Sequence, residues 1–110
     1  MQQNGDEKLY KIGEMAEILG IHIQTLRIYD RQNLLSPKRT DTNRRGYTDE
    51  DIEHAKLILY LTRELGVNLN GVKIILAFLK KNRLNSTLGL ELLKTMAKSL
   101  GIIENETQDN

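Results

Sequence analysis

The chain contains no cysteine. That removes disulfides, zinc–thiolate sites, iron–sulfur clusters and thiol nucleophiles together. It has no apolar run long enough to span a bilayer, and Met1 to Glu7 shows no apolar core of a secretory leader. The expected compartment is the cytoplasm. Histidine is scarce, with only His22 and His54. Neither belongs to a Glu-x-x-His motif, and the chain shows no serine elbow and no metal-ligand cluster. Gly66-Val67-Asn68-Leu69-Asn70-Gly71 carries two glycines, but it lacks a preceding strand and a phosphate-loop lysine, so it reads as a helix connection. Asp49-Glu50-Asp51 is better explained by a helix start than by calcium, because the helix dipole favours negative charge there. No enzyme, cofactor or metal site is expected.

Net charge is also close to absent, at +1 over 110 residues. Its distribution is uneven. Between residues 22 and 45, Arg27, Arg31, Lys38, Arg39, Arg44 and Arg45 face only Asp30 and Asp41. Positive charge concentrated in one stretch is the footprint expected of a phosphate-backbone binder.

Apolar periodicity gives a mainly α chain. Ile12, Met15, Ala16 and Leu19 form one stripe, which predicts a helix from about Gly13 to Leu19 that stops at Gly20. A second helix is expected almost at once, from His22 or Ile23 to Gln32, with Leu26 and Tyr29 facing the first. Two short helices joined by a tight glycine turn make a helix-turn-helix unit. Ser36-Pro37 breaks any helix. Asp41 to Asn43 is turn chemistry between two short extended arms, around Lys38 to Thr40 and Arg45 to Tyr47. That segment reads as a basic two-stranded wing. Thr48 is placed to cap a third helix. Its apolar face runs through Ile52, Ala55, Ile58, Leu59, Leu61 and Leu65, and Gly66 ends it. Asn68 or Asn70 caps a fourth helix containing Val72, Ile75, Leu76 and Leu79. After a polar break at Asn82 to Asn85, a fifth helix is expected from Ser86 to Leu100, stopped by Gly101.

The domain reading follows. Residues 1–8 form a disordered tail, 9–81 a winged helix-turn-helix domain, 82–101 a dimerisation helix and 102–110 a flexible tail. The stretch from Ile12 to Leu79 can already close a core. A further apolar helix attached by a polar break therefore wants a partner, and Leu88, Leu92, Leu93, Met96 and Leu100 are expected to pair two copies. The N-terminal part of the second helix would enter the major groove of double-stranded DNA, where base edges are read by arginine, amide and hydroxyl side chains. Base reading falls to Gln24, Thr25 and His22. Arg27 could meet a base or a phosphate, and Tyr29 could offer its hydroxyl to a phosphate. Arg31, Lys38, Arg39, Arg44 and Arg45 are the expected phosphate clamps, although Arg39 or Arg45 could instead pair with the acidic start of the third helix.

These residues resemble the MerR family of regulators. The resemblance rests on Tyr10-Lys11-Ile12-Gly13-Glu14-Met15-Ala16-Glu17-Ile18-Leu19-Gly20, on Gln24-Thr25-Leu26-Arg27-Ile28-Tyr29-Asp30-Arg31, and on Arg44-Arg45-Gly46-Tyr47-Thr48-Asp49-Glu50-Asp51-Ile52. It covers about Lys8 to Leu79. His22-Ile23-Gln24, Ser36-Pro37-Lys38-Arg39-Thr40 and Gly66-Val67-Asn68-Leu69-Asn70-Gly71-Val72 are similar to the HspR branch, the heat-shock repressors. Ile28 departs from the family, where many members have a second aromatic. Asn33 stands where a glycine is usual. The resemblance implies a homodimer on an inverted-repeat operator, repression of chaperone genes, and a DnaK-type chaperone as co-repressor. It also implies a bacterial, nucleoid-associated protein. Without cysteine the chain cannot sense metals or redox state through thiolates, as some relatives do. The stretch after Leu79 is too short for a drug-binding domain. Alternatives left open are a DNA-bending architectural or recombination factor, and a helical adaptor that binds protein through its fifth helix.

Overall fold

A computed structural model describes residues 8–103. The expected tails fall mostly at 1–7 and 104–110, outside the described residues. Five α-helices and one two-stranded sheet follow in the order α1 (Ile12–Leu19), α2 (Ile23–Arg31), β1 (Lys38–Arg39), β2 (Arg45–Gly46), α3 (Asp49–Leu59), α4 (Leu69–Lys81) and α5 (Ser86–Ser99). The fold is mainly α, a winged helix-turn-helix with an added C-terminal helix. No described helix is long and apolar enough to cross a membrane.

The chain forms two compact units, one ending at Ala55 and one beginning at Lys56. The division falls inside α3.

In the first unit α1 packs on α2. Gly20 adopts φ +69°, and the amides of Gly20 and Ile21 reach back to the carbonyls of Glu17 and Ala16. This left-handed closure ends α1 and turns the chain into α2 within three residues. α2 ends in the same way. Asn33 has φ +60°, and Leu34 N–H bonds the Tyr29 carbonyl at 2.8 Å. Asparagine tolerates this conformation better than other residues with a Cβ. Asparagine thus fills a left-handed position that glycine also suits. The core of the unit comprises Met15, Ala16, Leu26, Tyr29, Leu34, Leu35, Tyr47, Ile52 and Ala55.

The wing is an antiparallel pair with Lys38 opposite Gly46 and Arg39 opposite Arg45. Its turn closes through Thr40 N–H to the Arg44 carbonyl at 2.8 Å, with Asn43 left-handed at φ +68°. Sequence reading gave the wing two arms. The structure adds a third segment. Tyr10 bridges Tyr47 through a pair of backbone hydrogen bonds of 2.7 and 2.8 Å. The approach is close enough that a Cβ on Gly46 would lie 2.9 Å from both Leu9 Cβ and the Tyr10 carbonyl oxygen. Glycine is needed there.

In the second unit α3 does not run as one α-helix to Gly66. It passes into a π-helical segment, Tyr60–Glu64. The Thr62 hydroxyl donates to the Ile58 carbonyl at 3.0 Å, and the Leu65 amide reaches five residues back to Tyr60 at 3.1 Å. A side chain bonded to the helix's own carbonyls loosens the regular ladder and accompanies the wider turn. Asn68 and Asn85 cap α4 and α5 by accepting from the amides of Gly71 and Leu88. The core holds Leu57, Ile58, Leu61, Val72, Leu79 and Ala97. α5 meets α4 at Gly89, where a Cβ would sit 2.9 Å from Leu79 Cδ1.

Candidate nucleic-acid interface

α2 begins at His22, whose backbone is extended and whose side chain makes no cap hydrogen bond. The side chain is exposed. Gln24 and Arg27 follow one helical turn apart, both exposed, and Arg31 is exposed in the last turn. Thr25 is only half-buried. Tyr29 lies on the opposite side of the helix. It is 4% exposed and belongs to the core. The 3.6-residue period puts Leu26 and Tyr29 inward together, so the ring Tyr29 would need to show a phosphate is committed to packing.

The wing cations do different things. Arg44 and Arg45 are exposed. Arg39 donates to Asn43 Oδ1 at 2.6 Å, which braces the turn. Lys38 is the wing residue that pairs with the acidic helix start. Its Nζ lies 2.7 Å from Asp51 Oδ1. The pairing expected of Arg39 or Arg45 therefore belongs to their neighbour.

Asp51 was not singled out by sequence, and it anchors the wing. It is 4% exposed. Oδ1 accepts from Lys38, Oδ2 accepts from the Thr48 amide at 2.9 Å, and the Asp51 amide donates to Thr48 Oγ1 at 3.2 Å. The reciprocal bonds with Thr48 are a capping box in which aspartate takes the place of glutamate. The signal was present as Thr-x-x-Asp, but it was read only as helix-start charge.

Tyr10 also ties the unit together. Its hydroxyl donates to Asp49 Oδ1 at 2.8 Å, and that bond, ahead of burial, raises the phenol pKa. Tyr47 is raised by burial first, then by Asp30 and Asp51, while Arg45 and Arg27 pull it down. Both guanidinium fields therefore reach the Tyr47 hydroxyl.

Arg27 of α2 and Arg45 of β2 line one cleft of about 320 Å³, together with Lys11, Asp30, Pro37 and Tyr47. α2 and the wing thus open on a common side. Lys11 had no place in the sequence reading of the site. It stands just before α1, and only the Tyr10–Tyr47 bridge brings it to the wing.

On α5, Leu88, Leu92, Met96 and Leu100 are 51%, 42%, 45% and 68% exposed. Leu93 is half-buried. Gly89 and Ala97 form the buried row.

Residues 10–79 match the MerR HTH family of regulatory proteins. The chain is 42% identical over 71 residues to a protein described as heat shock protein HspR of Streptomyces coelicolor, a match covering 64% of this chain and 47% of that protein. It is 40% identical over 68 residues to the HTH-type transcriptional activator mta of Bacillus subtilis, covering 61% of this chain and 26% of the relative. It is 30% identical over 91 residues to the HTH-type transcriptional regulator GlnR of Bacillus anthracis, covering 83% and 69%. Among solved structures, HiNmlR, a MerR family regulator lacking the sensor domain and bound to promoter DNA, superposes with a TM-score of 0.52 at 27% identity, covering 84% of this chain and 78% of the other. The family match takes in both helices of the helix-turn-helix, the whole wing, α3 and most of α4, and the chain belongs to the MerR HTH family of regulatory proteins.

Proposed function

We propose that the chain is a dimeric transcriptional repressor that binds double-stranded DNA at an inverted-repeat operator. One observation carries the reading. Arg27 of α2 and Arg45 of the wing line a common cleft, with Gln24 exposed one turn before Arg27. A helix with its polar N-terminal turn outward can enter the major groove while the wing grips the flanking backbone. Gln24, Thr25 and His22 read bases, and Arg27 meets a base or a phosphate. Arg31, Arg39, Arg44 and Arg45 neutralise phosphates, joined by Lys38 where its pair with Asp51 leaves it accessible.

The dimer rests on α5. Its buried positions Gly89 and Ala97 are small, with Leu93 half-buried between them, and its outward row is large and apolar, spaced at every fourth residue over three turns. Such a row loses water favourably against a second copy of itself. Two copies related by a two-fold axis present two recognition helices, which matches a palindromic site.

The regulated genes are heat-shock and chaperone genes, with a DnaK-type chaperone as co-repressor and the bacterial nucleoid as the place of action. The similarity to HspR supports this.

Selection of bound fragments from the source genome tests the reading. The recovered sites should contain inverted repeats and include promoters of chaperone genes. Affinity should fall roughly a thousandfold or more between about 50 and 200 mM salt, as expected when six or more phosphates are neutralised. Binding to protein partners with no duplex affinity and no salt dependence would favour an adaptor instead.

A further inference from the structure

Three cations from three separate elements meet at the cleft beside α2. Lys11 precedes α1, Arg27 lies on α2 and Arg45 on β2. Asp30 is the one carboxylate in the lining, and its Oδ1 accepts from the Ser36 hydroxyl at 2.5 Å. Among the described residues neither Lys11, Arg27 nor Arg45 forms an ion pair with a carboxylate. Like charges gathered about one small space repel each other until an anion enters. The space, about 320 Å³, lies at the small end of the range for ligand sites. A tetrahedral anion with oxygens on all sides suits donors arriving from three directions.

The position of Arg27 decides which anion. Arg27 lines the cleft together with Arg45 of the wing. An arginine that reads guanine must spend its paired N–H groups on O6 and N7. The same groups cannot also close on an anion held against Arg45 and Lys11.

We propose that Lys11, Arg27 and Arg45 form a seat for one phosphate of the DNA backbone, and that Arg27 acts there and not on a base edge. The assignment rests on the DNA-binding reading above. It makes Lys11 part of the interface and leaves discrimination between sequences to His22, Gln24 and Thr25. The seat also fixes how far the wing stands from the recognition helix on the duplex.

The test uses the full chain with the selected operator and a random duplex of equal length. Lys11→Gln and Arg27→Gln should each weaken both duplexes alike and lower the log–log salt slope by about two for the dimer, one for each half-site. Arg27→Lys, which keeps the charge, should restore the slope. A duplex with one neutral methylphosphonate linkage should become insensitive to Lys11→Gln at a single position in each half-site and remain sensitive elsewhere. Circular dichroism checks that the variants keep their fold. Loss of preference at one base pair in Arg27→Gln would overturn the assignment, as would an unchanged salt slope in Lys11→Gln. Saturation of the DNA-free cleft by millimolar inorganic phosphate, with duplex binding of Lys11→Gln unaltered, would mark a small-anion site and equally overturn it. In each of these cases the wild-type chain still binds its operator. Failure of the wild-type chain to bind any duplex would instead defeat the DNA-binding reading itself.

Discussion

The outward faces of α2 and α5 are built on opposite plans. α2 buries its large side chains, Leu26 and Tyr29, and exposes Gln24, Arg27 and Arg31. α5 buries Gly89 and Ala97 and exposes Leu88, Leu92, Met96 and Leu100. The first arrangement is that of a surface helix whose apolar stripe is already satisfied. The second leaves its greatest apolar area in water, where covering a leucine or methionine is worth about 1.5–3 kcal/mol. Faces of such different chemistry call for different partners. The α2 face suits a polyanion and gains nothing from apolar contact. The α5 face suits another apolar surface and gains nothing from phosphate.

The contrast is broken most severely by putting charge on the α5 face. Leu92→Asp with Met96→Asp should raise the dimer dissociation constant roughly a hundred-thousandfold or more, because four carboxylates, two from each copy, would have to lose water in an apolar contact at about 2 kcal/mol or more each. Light scattering at micromolar concentration should then give the monomer mass. Both side chains are on the exposed row, so the helical content of the monomer should be unchanged. An unaltered mass would sink the dimer assignment.

A smaller effect is expected from the buried anchor behind the α2 face. Asp51→Ala removes the acceptor for the Thr48 amide and the partner of Lys38. The side chain of Lys38 is 55% exposed, so water takes over most of what the ion pair supplied. The capping bond is the larger loss, and the total should be about 1–3 kcal/mol by urea unfolding. Amide exchange should quicken at Lys38, Arg39 and Gly46 and stay unchanged in α5. Equal loosening of α5 would show that the anchor is not local to the wing.

The parts of the fold legible in sequence were those governed by short-range rules. Apolar spacing located all five helices, Gly20 and Gly101 marked two of their ends, and Asn85 fits the polar break before α5. The wing was legible because turn residues separate two basic arms. What escaped depended on contacts between distant segments. Tyr10 is 37 residues from Tyr47, and no local pattern joins them. Lys11 therefore stood outside the expected site. The π-helical segment escaped for a different reason, since Leu59, Leu61 and Leu65 fit an unbroken helix as well as a widened one. At the site itself, composition identified the cations but could not separate those held internally from those left available. Lys38 and Arg39 proved to be engaged with Asp51 and Asn43, and Arg27 and Arg45 share the cleft.

The mildest perturbation of the α2 side is acid. His54 lies on α3 with its Nε2 3.2 Å from the Leu34 carbonyl oxygen. A carbonyl only accepts, so Nε2 carries the proton and the ring donates. Burial lowers the imidazole pKa below its ordinary 6.5. The bond to Leu34 and the Asp51 carboxylate oppose that shift without cancelling it, and Lys38 adds to it. The unfolded chain therefore takes up a proton at His54 before the folded chain does. Stability from this group is complete above 6.5, falls as pH drops through the interval down to the folded value, and changes no further below it. Thermal melts at about pH 7.5 and 5.5 span the start of that interval. His54→Gln keeps an N–H donor for Leu34 and cannot titrate, so its melting point should fall less between the two conditions. Carboxylates shared by both chains contribute equally, which leaves the difference in slope to His54 alone. Identical slopes would mean that the ring is protonated as readily in the fold as outside it, and that its burial costs the charged form nothing.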